Sequence, residues 1–247
     1  MSKLHLCKYR FGLTGTLDDL QTHKLVLEGL FGTVNKVIST KELIEKKTLA
    51  NLKIDSLILG YKEQECKDVK NLKYADEMDY IVTHKKRLSF ITNLLGNVKG
   101  NVLVLYQFVE KHGKPLYDTI KEKYKNRNVF FVSGSVDALD REKIREISEK
   151  TNNAVIVASY GTFSTGINIK NLHNIIFSSP SKSKIRVLQS IGRGLRLNDN
   201  KEMCKLFDIA DDLTHKGKQN FTLRHFMERI NIYNEEQFDY TIHRIKL

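Results

Sequence analysis

Two arginines and a glutamine that lie close together in the sequence are the residues best suited to chemistry. On a helix, Gln189, Arg193 and Arg196 would share one face at positions i, i+4 and i+7. The same helix would have an apolar face toward the core, formed by Leu188, Ile191 and Leu195. Planar guanidinium groups beside a glutamine suit the charge that develops in phosphoryl transfer. The alternative is a solvated basic face, so a triphosphate site needs support from elsewhere.

Two glycines within this segment also need a reason. Gly192 and Gly194 would each cost about 1 kcal/mol in a helix interior relative to alanine. Their presence predicts either that a ligand or another element approaches the backbone closely, or that the helix ends early.

A loop rich in small polar residues follows one apolar run. The run is 154–158, and the loop extends to Asn168. The residues of this loop that suit phosphate oxygens, through hydroxyl groups or free backbone N–H groups, are Ser159, Thr162, Thr165, Gly166 and Asn168. Ligands of open α/β sheets bind at the carboxyl ends of the strands. The loop is therefore a candidate phosphate or nucleic-acid contact, with an ordinary polar connection as the alternative.

The rest of the chain supplies the elements that must position these residues. Continuous apolar runs predict five buried strands, at 102–106, 129–132, 154–158, 175–177 and 204–209. Amphipathic stretches between them predict helices over about 112–126, 138–151 and 182–196. Buried strands that alternate with helices indicate a doubly wound α/β domain with a parallel sheet covered on both faces, over 97–213.

The two ends of the chain are predicted separately. In the first part we expect a strand at Lys8–Leu13, a helix that ends at Phe31, and a capping box at Ser39. Further elements are predicted at 52–59, as a strand, and at 75–96, as one long helix. The tail after residue 220 is expected to be helical throughout.

Composition favours an anionic partner. The chain has 247 residues, with 41 Lys and Arg against 29 Asp and Glu, a net charge of +12 and a pI near 9.4. Such a basic excess is typical of nucleic-acid binding, although a basic enzyme or a basic protein-binding face would share it.

Other classes are excluded or disfavoured. No apolar run approaches the roughly 18–20 residues of a membrane span, and no signal-peptide core is present. The three cysteines, Cys7, Cys66 and Cys204, have neither disulfide nor zinc-site spacing, so no metal site is predicted. This cysteine usage fits the reducing cytoplasm, which is the location we expect.

Four segments together resemble the conserved motifs of superfamily 2 helicases. Gln189-x-x-Gly192-Arg193-x-x-Arg196 matches motif VI, and 159–168 resembles motif V, with Asn168 where many relatives have Asp. Residues 12–17 resemble motif III, and 106–108 lie where motif IV would be. The resemblance covers nearly the whole chain and extends to the recombination helicases of T-even-type bacteriophages. It implies a RecA-like C-terminal lobe, a fragment of the first lobe and a C-terminal helical appendage.

The resemblance also implies roles for individual residues. Arg193 and Arg196 would act as arginine fingers on the γ-phosphate of ATP, with Gln189 orienting it. Three residues would lie near the nucleotide: Gly166, Asn168 and Gly192. Four would contact DNA: Ser159, Thr162, Thr165 and Gln107. Thr14 and Thr16 would couple the two sites, and ATP and Mg²⁺ would be shared with a first lobe.

Two motifs of that first lobe are missing from this sequence. There is no G-x-x-x-x-G-K-[ST] P-loop. Asp76-Glu77-Met78-Asp79 has the letters of motif II but follows motif III, so we interpret it as a helix start whose carboxylates pair with a helix dipole. The resemblance therefore implies the C-terminal half of a helicase, inactive alone, which begins near the end of lobe one. An internal start, a split gene and a truncated chain all remain open.

The expected division is 1–32 (end of lobe one), 33–96 (connecting strand and helices), 97–213 (second lobe) and 214–247 (appendage). The phage helicases that the chain resembles regress forks, migrate Holliday junctions and unwind R-loops in recombination and repair. The alternatives are a non-enzymatic basic module that binds nucleic acid and, less favoured, a small-molecule α/β enzyme.

Overall fold

The computed structural model describes residues 7–14, 21–35, 37–162, 169–198 and 201–247. The strands are β1 (Asn51–Gly60), β2 (Val102–Tyr106), β3 (Asn128–Val132), β4 (Ala154–Ser159), β5 (Asn174–Phe177), β6 (Met203–Asp212) and β7 (Tyr240–Lys246). They form one seven-stranded sheet in the order β3-β4-β2-β5-β6-β1-β7. Every pair of neighbouring strands is parallel.

Helices connect the strands. They are α1 (Gln21–Phe31), α2 (Thr40–Glu45), α3 (Glu63–Val69), α4 (Tyr74–Thr83), α5 (Lys85–Leu94), α6 (Lys114–Lys123), α7 (Ala138–Lys150), α8 (Lys184–Gly194) and α9 (Phe221–Glu235). A π-helical turn, Val109–Gly113, precedes α6. Among the described residues, no helix is long and apolar enough to cross a membrane.

The centre of the sheet is buried on both faces, which explains why β2 and residues 154–158 of β4 are apolar without interruption. In β4, Ile156 belongs to the core shared with α7, α8 and α9, whereas its neighbour Val157 belongs to the core shared with α5 and α6. Successive side chains of a strand point to opposite faces, so a strand covered on both sides must be apolar at every position. The prediction of a parallel α/β sheet with helices on both faces is confirmed.

Three details differ from the sequence-based expectation. Residues 8–13 do not form a strand. The predicted helix over 75–96 is two helices separated at His84, whose backbone is extended (ψ 116°) and whose Nδ1 accepts a hydrogen bond from the N–H of Arg87 at the start of α5. The tail is not helical throughout, because β7 follows α9 and pairs with β1.

The sheet extends beyond the region 97–213. β1, from the segment 33–96, pairs with β6 along its whole length, and β7, from the segment 214–247, pairs with β1. The expected four-part division stays a prediction about folding units, while the sheet itself includes strands from three of those parts.

The acidic segment Asp76-Glu77-Met78-Asp79 begins α4, and one of its carboxylates serves a second helix. Glu77 is buried, and its side chain accepts hydrogen bonds from the N–H groups of Phe221 and Thr222 at 2.9 and 2.7 Å. A carboxylate at this position satisfies the unpaired N–H groups at the start of α9 and complements its dipole. Glu77 therefore ties α4 to α9 at the carboxyl end of β6.

Candidate nucleotide and nucleic-acid site

Polar residues of three neighbouring strands meet at the carboxyl edge of the sheet. Gln107 follows β2 and is exposed, and Ser159 ends β4 and is half-buried. The backbone N–H of Gln107 donates to Ser179 Oγ at 3.1 Å, just beyond β5. The sheet order therefore brings together segments that resemble motifs IV and V, with the loop that leads to α8.

Ser159 and Thr162 are partners of each other. Their hydroxyl oxygens lie 2.7 Å apart, and the N–H of Thr162 donates to Ser159 Oγ at 3.2 Å. Ser159 thus caps the helical turn that follows β4. Thr162 is buried, so of these two residues only Ser159 offers part of its side chain to solvent.

Helix α8 carries Gln189 and Arg193, and Arg196 follows its end. Gln189 is exposed, and Arg193 and Arg196 are half-buried. Burial lowers the pKa of the Arg193 guanidinium, and the positive charge of Arg196 lowers it further. Arg193 and Arg196 are three residues apart at the end of α8, so two positive charges belong to this part of the chain, which suits an anionic ligand.

The helix is shorter than the sequence predicted. α8 ends at Gly194, and Leu195 caps it, so Arg196 lies beyond the helix and does not occupy the i+7 position of its face. The buried side is also shifted, since Val187 is fully buried and Leu188 only in part. The prediction that Gln189 and Arg193 share one face still holds for the helical residues.

The two glycines of α8 have different surroundings. A Cβ atom at Gly194 would lie 2.5 Å from Ile175 Cδ1 and 2.7 Å from Cys204 Sγ, so only glycine lets the helix approach β5 and β6 this closely. A Cβ atom at Gly192 would have no neighbour within 4 Å. Both expectations for these glycines are met at Gly194, where the helix ends and packs closely. Gly192 leaves open space beside the arginines.

Lys201 fixes the end of α8, and the sequence analysis missed it. Its side chain is buried, and Nζ donates to the carbonyl oxygens of Gly194 at 2.5 Å, Arg196 at 2.8 Å and Lys170 at 3.1 Å. A buried ammonium satisfies carbonyls that the helix end leaves unpaired. Burial lowers the pKa of this lysine. Nothing in the sequence distinguishes Lys201 from the other lysines of this basic chain.

A loop of four residues, 178–181, connects β5 to the approach of α8, and buried arginines hold it from both faces of the sheet. From the α5 side, Arg87 donates to Ser178 O at 2.8 Å and to Asp211 Oδ1 at 2.7 Å. From the α9 side, Arg229 donates to Ser181 O at 2.7 Å and pairs with both carboxylate oxygens of Asp208. Burial acts to lower the pKa of Arg229, but the charge and hydrogen bonds of Asp208 outweigh it and raise the pKa.

The same loop is bound from the π-helical turn after β2 and from the segment that resembles motif V. His112 Nδ1 lies 2.8 Å from Ser179 Oγ, and the Tyr160 hydroxyl donates to Ser179 O at 3.1 Å. Burial, and then the charge of Arg87, hold the pKa of His112 well below its usual value. The loop therefore joins the β2 and β4 ends to the arginine-bearing helix.

Several predicted site residues lie outside the described residues: Thr16, Thr165, Gly166 and Asn168. Thr14 is described and exposed. Within the described part of the chain, no group of three or more His, Cys, Asp or Glu side chains is arranged to hold a metal ion.

Comparison with known proteins matches this site to a family. The "Helicase conserved C-terminal domain" family matches residues 86–198, which include β2 to β5 and α8. The ATP-dependent DNA helicase uvsW of Enterobacteria phage T4 is 35% identical over 260 residues, covering 100% of this chain and 51% of that protein. The crystal structure of T4 UvsW superposes with a TM-score of 0.69 at 34% identity, covering 88% of this chain and 44% of that one.

The chain contains the C-terminal lobe of a superfamily 2 helicase. A further relative, the putative ATP-dependent helicase IRC3 of Saccharomyces cerevisiae, is 24% identical over 185 residues, covering 68% of this chain and 24% of that protein. The chain spans about half of the phage helicase and a smaller part of the yeast protein. The RecA-like fold and the superfamily resemblance expected from the sequence are confirmed.

Proposed function

We propose that this chain is the second motor lobe of an ATP-dependent DNA helicase or translocase. Arg193 and Arg196 act on the γ-phosphate, and Gln189 helps to orient it. The observation that carries the proposal is the placement of both arginines at the end of α8, where the buried Lys201 holds the main chain through the carbonyl oxygens of Gly194 and Arg196. Guanidinium groups placed in advance stabilise charge in phosphoryl transfer without reorganisation during the reaction.

The nucleotide is ATP, bound between this lobe and a first lobe. The open space beside Gly192 suits the approach of a nucleotide to the backbone of α8. Gly166 and Asn168 complete this side of the site by resemblance to motif V. The P-loop and Mg²⁺ come from the first lobe, so this chain does not hydrolyse ATP by itself.

DNA lies across the carboxyl ends of β2 and β4. Gln107 and Ser159 are partly or fully accessible there, and Thr165 joins them by resemblance. The buried Thr162 acts through Ser159, with which it shares a hydrogen bond. Thr14 and Thr16 relay between the lobes. The shared loop 178–181 supports coupling, because it touches both the β2 end and the approach to α8.

The whole protein remodels branched DNA in recombination and repair, by fork regression, Holliday-junction migration and R-loop unwinding. This part of the proposal rests on the likeness to the phage helicase. The substrate is branched or duplex DNA, and the site of action is the cytoplasm of the host cell.

The test is substitution of Arg196 in a two-lobe protein made by joining this chain to the first lobe of the T4 relative. We expect Arg196→Ala to lower the rate of ATP hydrolysis about 10³-fold or more while DNA affinity stays within a few-fold. Arg196→Lys should recover little, because an ammonium lacks the planar fork. Arg145→Ala is the matched control, an exposed arginine on α7 paired with Glu142. Unchanged turnover in Arg196→Ala, with a sharply lower melting temperature, would make Arg196 a structural residue and contradict the proposal.

A further inference from the structure

Aromatic and basic side chains form a surface patch where α4, α8 and α9 begin. We name it the aromatic–basic patch, and it consists of Tyr74, Phe221, His225, Lys182, Arg186 and Arg224. It lies at the carboxyl edge of the sheet, because Asn220, directly before α9, donates to Asp211 O near the end of β6. The sites proposed above use none of these residues.

The rings of the patch are in mutual contact. The centroid of the Tyr74 ring lies 6.1 Å from that of Phe221 and 5.2 Å from that of His225, both edge-on. Tyr74 is 40% exposed and Phe221 is 36% exposed, so each keeps part of its ring surface open to solvent. Edge-on packing holds the rings in place at the surface.

Cations surround the rings. The Arg224 guanidinium lies over the Phe221 ring, 4.7 Å from its centroid. Burial raises the pKa of Tyr74, the charge of Glu77 raises it further, and the charge of Arg186 opposes the rise. Burial lowers the pKa of His225, and Lys182 is among the charges that lower it further. Lys182, Arg186 and Arg224 are all exposed.

Three acidic residues lie near the patch, and one of them is turned away from the surface. Glu77 points inward, where it is buried against the N-terminus of α9. Glu228 raises the pKa of His225 from within α9, and Asp76 is exposed beside Tyr74 in sequence. Glu77 already ties α4 to α9. The exposed aromatic rings and their arginine neighbours are therefore not needed to pack these two helices together.

The patch is continuous with the proposed nucleotide site along α8. Arg186, Gln189 and Arg193 are spaced i, i+3 and i+7, so they lie on one helix face. Seven residues at a rise of 1.5 Å put Arg186 and Arg193 roughly 10 Å apart along the axis. Binding at Arg186 and binding at Arg193 therefore involve the two ends of one helix.

We propose that the aromatic–basic patch binds an unpaired strand of nucleic acid, with a base stacked on Tyr74 or Phe221 and phosphates at Lys182, Arg186 and Arg224. Exposed rings among cations are the combination that holds single strands without sequence preference. A duplex keeps its bases stacked inside, so it would use the cations only. The proposal deepens the proposed function, since the strand is one that a branched DNA offers to the motor.

The experiment measures binding of the 247-residue chain to a fluorescent oligothymidine of about 16 nucleotides and to a duplex of equal length, by anisotropy. Tyr74→Leu and Phe221→Leu keep the apolar bulk but remove the stacking face. We expect each to weaken single-strand binding about five- to a hundredfold and to change duplex binding less than twofold. Tyr117→Leu is the matched control, since Lys121 lies over the Tyr117 ring at 5.2 Å on α6.

The salt dependence of binding tests the basic residues of the patch. Arg186→Gln should reduce the slope of log affinity against log salt for the single strand by about 0.7, the loss of one phosphate contact. Photocrosslinking of the wild-type chain with an iodouracil oligonucleotide should label a peptide that contains Tyr74 or Phe221. This measurement does not depend on the folding of any variant. Thermal melting checks that each variant keeps the fold.

The outcomes separate this proposal from the proposed function. If the wild-type chain binds no single strand, if the leucine variants bind it as well as wild type does, or if they lose duplex and single-strand affinity equally, base stacking at the patch is wrong. Crosslinks confined to other peptides would also overturn it. Each of these results leaves the Arg196→Ala test of the motor lobe unaffected.

Discussion

Buried charged side chains fix the backbone around α8. Arg87, Arg229 and Lys201 each donate to main-chain carbonyls next to that helix, and each is at most 3% exposed. Arg87 and Arg229 pair with the buried Asp211 and Asp208, and removing one partner of such a pair typically costs 3–5 kcal/mol because the other charge stays buried. The positions of Arg193 and Arg196 thus depend on residues that never contact the nucleotide in our proposal.

His112 gives this arrangement a measurable pH dependence. Its pKa in the folded chain is well below the ordinary value, mainly because it is buried. As the pH falls below about 6.5, the unfolded chain therefore binds a proton that the folded chain does not. The contribution of His112 to the free energy of unfolding is therefore complete above about pH 6.5. Below that pH we expect the contribution to decline by up to about 1.4 kcal/mol per pH unit. Denaturant unfolding at pH 7.5 and at pH 5.5 measures the decline.

His112→Asn should remove much of this decline, since the asparagine amide still reaches toward Ser179 but does not titrate. His243→Asn is the control, because His243 is exposed on β7. If wild type and His112→Asn lose the same amount of stability from pH 7.5 to pH 5.5, His112 does not titrate as described.

At the scale of elements, α8 depends on two glycines with opposite surroundings. We expect Gly194→Ala to destabilise the chain by about 1–3 kcal/mol, because its Cβ would overlap buried atoms of Ile175 and Cys204. Gly192→Ala should be neutral or stabilising by up to about 1 kcal/mol, because its Cβ meets open space and alanine favours helix. Chemical denaturation of both variants tests this, and similar effects in the two would contradict the packing described for α8.

The elements that the sequence predicted well are those whose signal is local. The strands at 102–106 and 154–158 are uninterrupted apolar runs, which a sheet covered on both faces requires. The missed features depend on distant residues. The break at His84 relies on an imidazole cap, which is not a usual signal, and the end of α8 at Gly194 relies on close approach to β5 and β6.

Strand β7 was missed for a related reason. It is mostly exposed at the sheet edge, so its apolar pattern is weak, and its backbone hydrogen bonds come from β1, nearly two hundred residues earlier. In the site, Gln189, Arg193 and Arg196 were predicted from their spacing, and their roles stay a prediction. A signal in the sequence that was not used concerns Asp208, Asp211 and Arg229. Each is a charged residue within a buried apolar pattern, and a buried charge requires a partner.

At the scale of the molecule, the net charge of +12 should make DNA binding strongly salt-dependent. Each phosphate contact releases counterions and contributes about −0.9 to the slope of log affinity against log salt for duplex DNA. We expect the chain to bind duplexes of unrelated sequence with similar affinity and a slope of several units, measured by anisotropy titrations at several salt concentrations. A flat response would assign the basic surface to another kind of partner.

The central claim is that this lobe completes an ATP-hydrolysing site that it does not contain alone. The most direct measurement is DNA-stimulated ATP hydrolysis by three proteins: this chain, the first lobe of the T4 helicase, and the two joined in one polypeptide. We expect turnover only in the joined protein, stimulated by DNA, since the P-loop comes from one lobe and the arginines from the other. Turnover by this chain alone, or a joined protein that folds and binds DNA but does not hydrolyse ATP, would contradict the account.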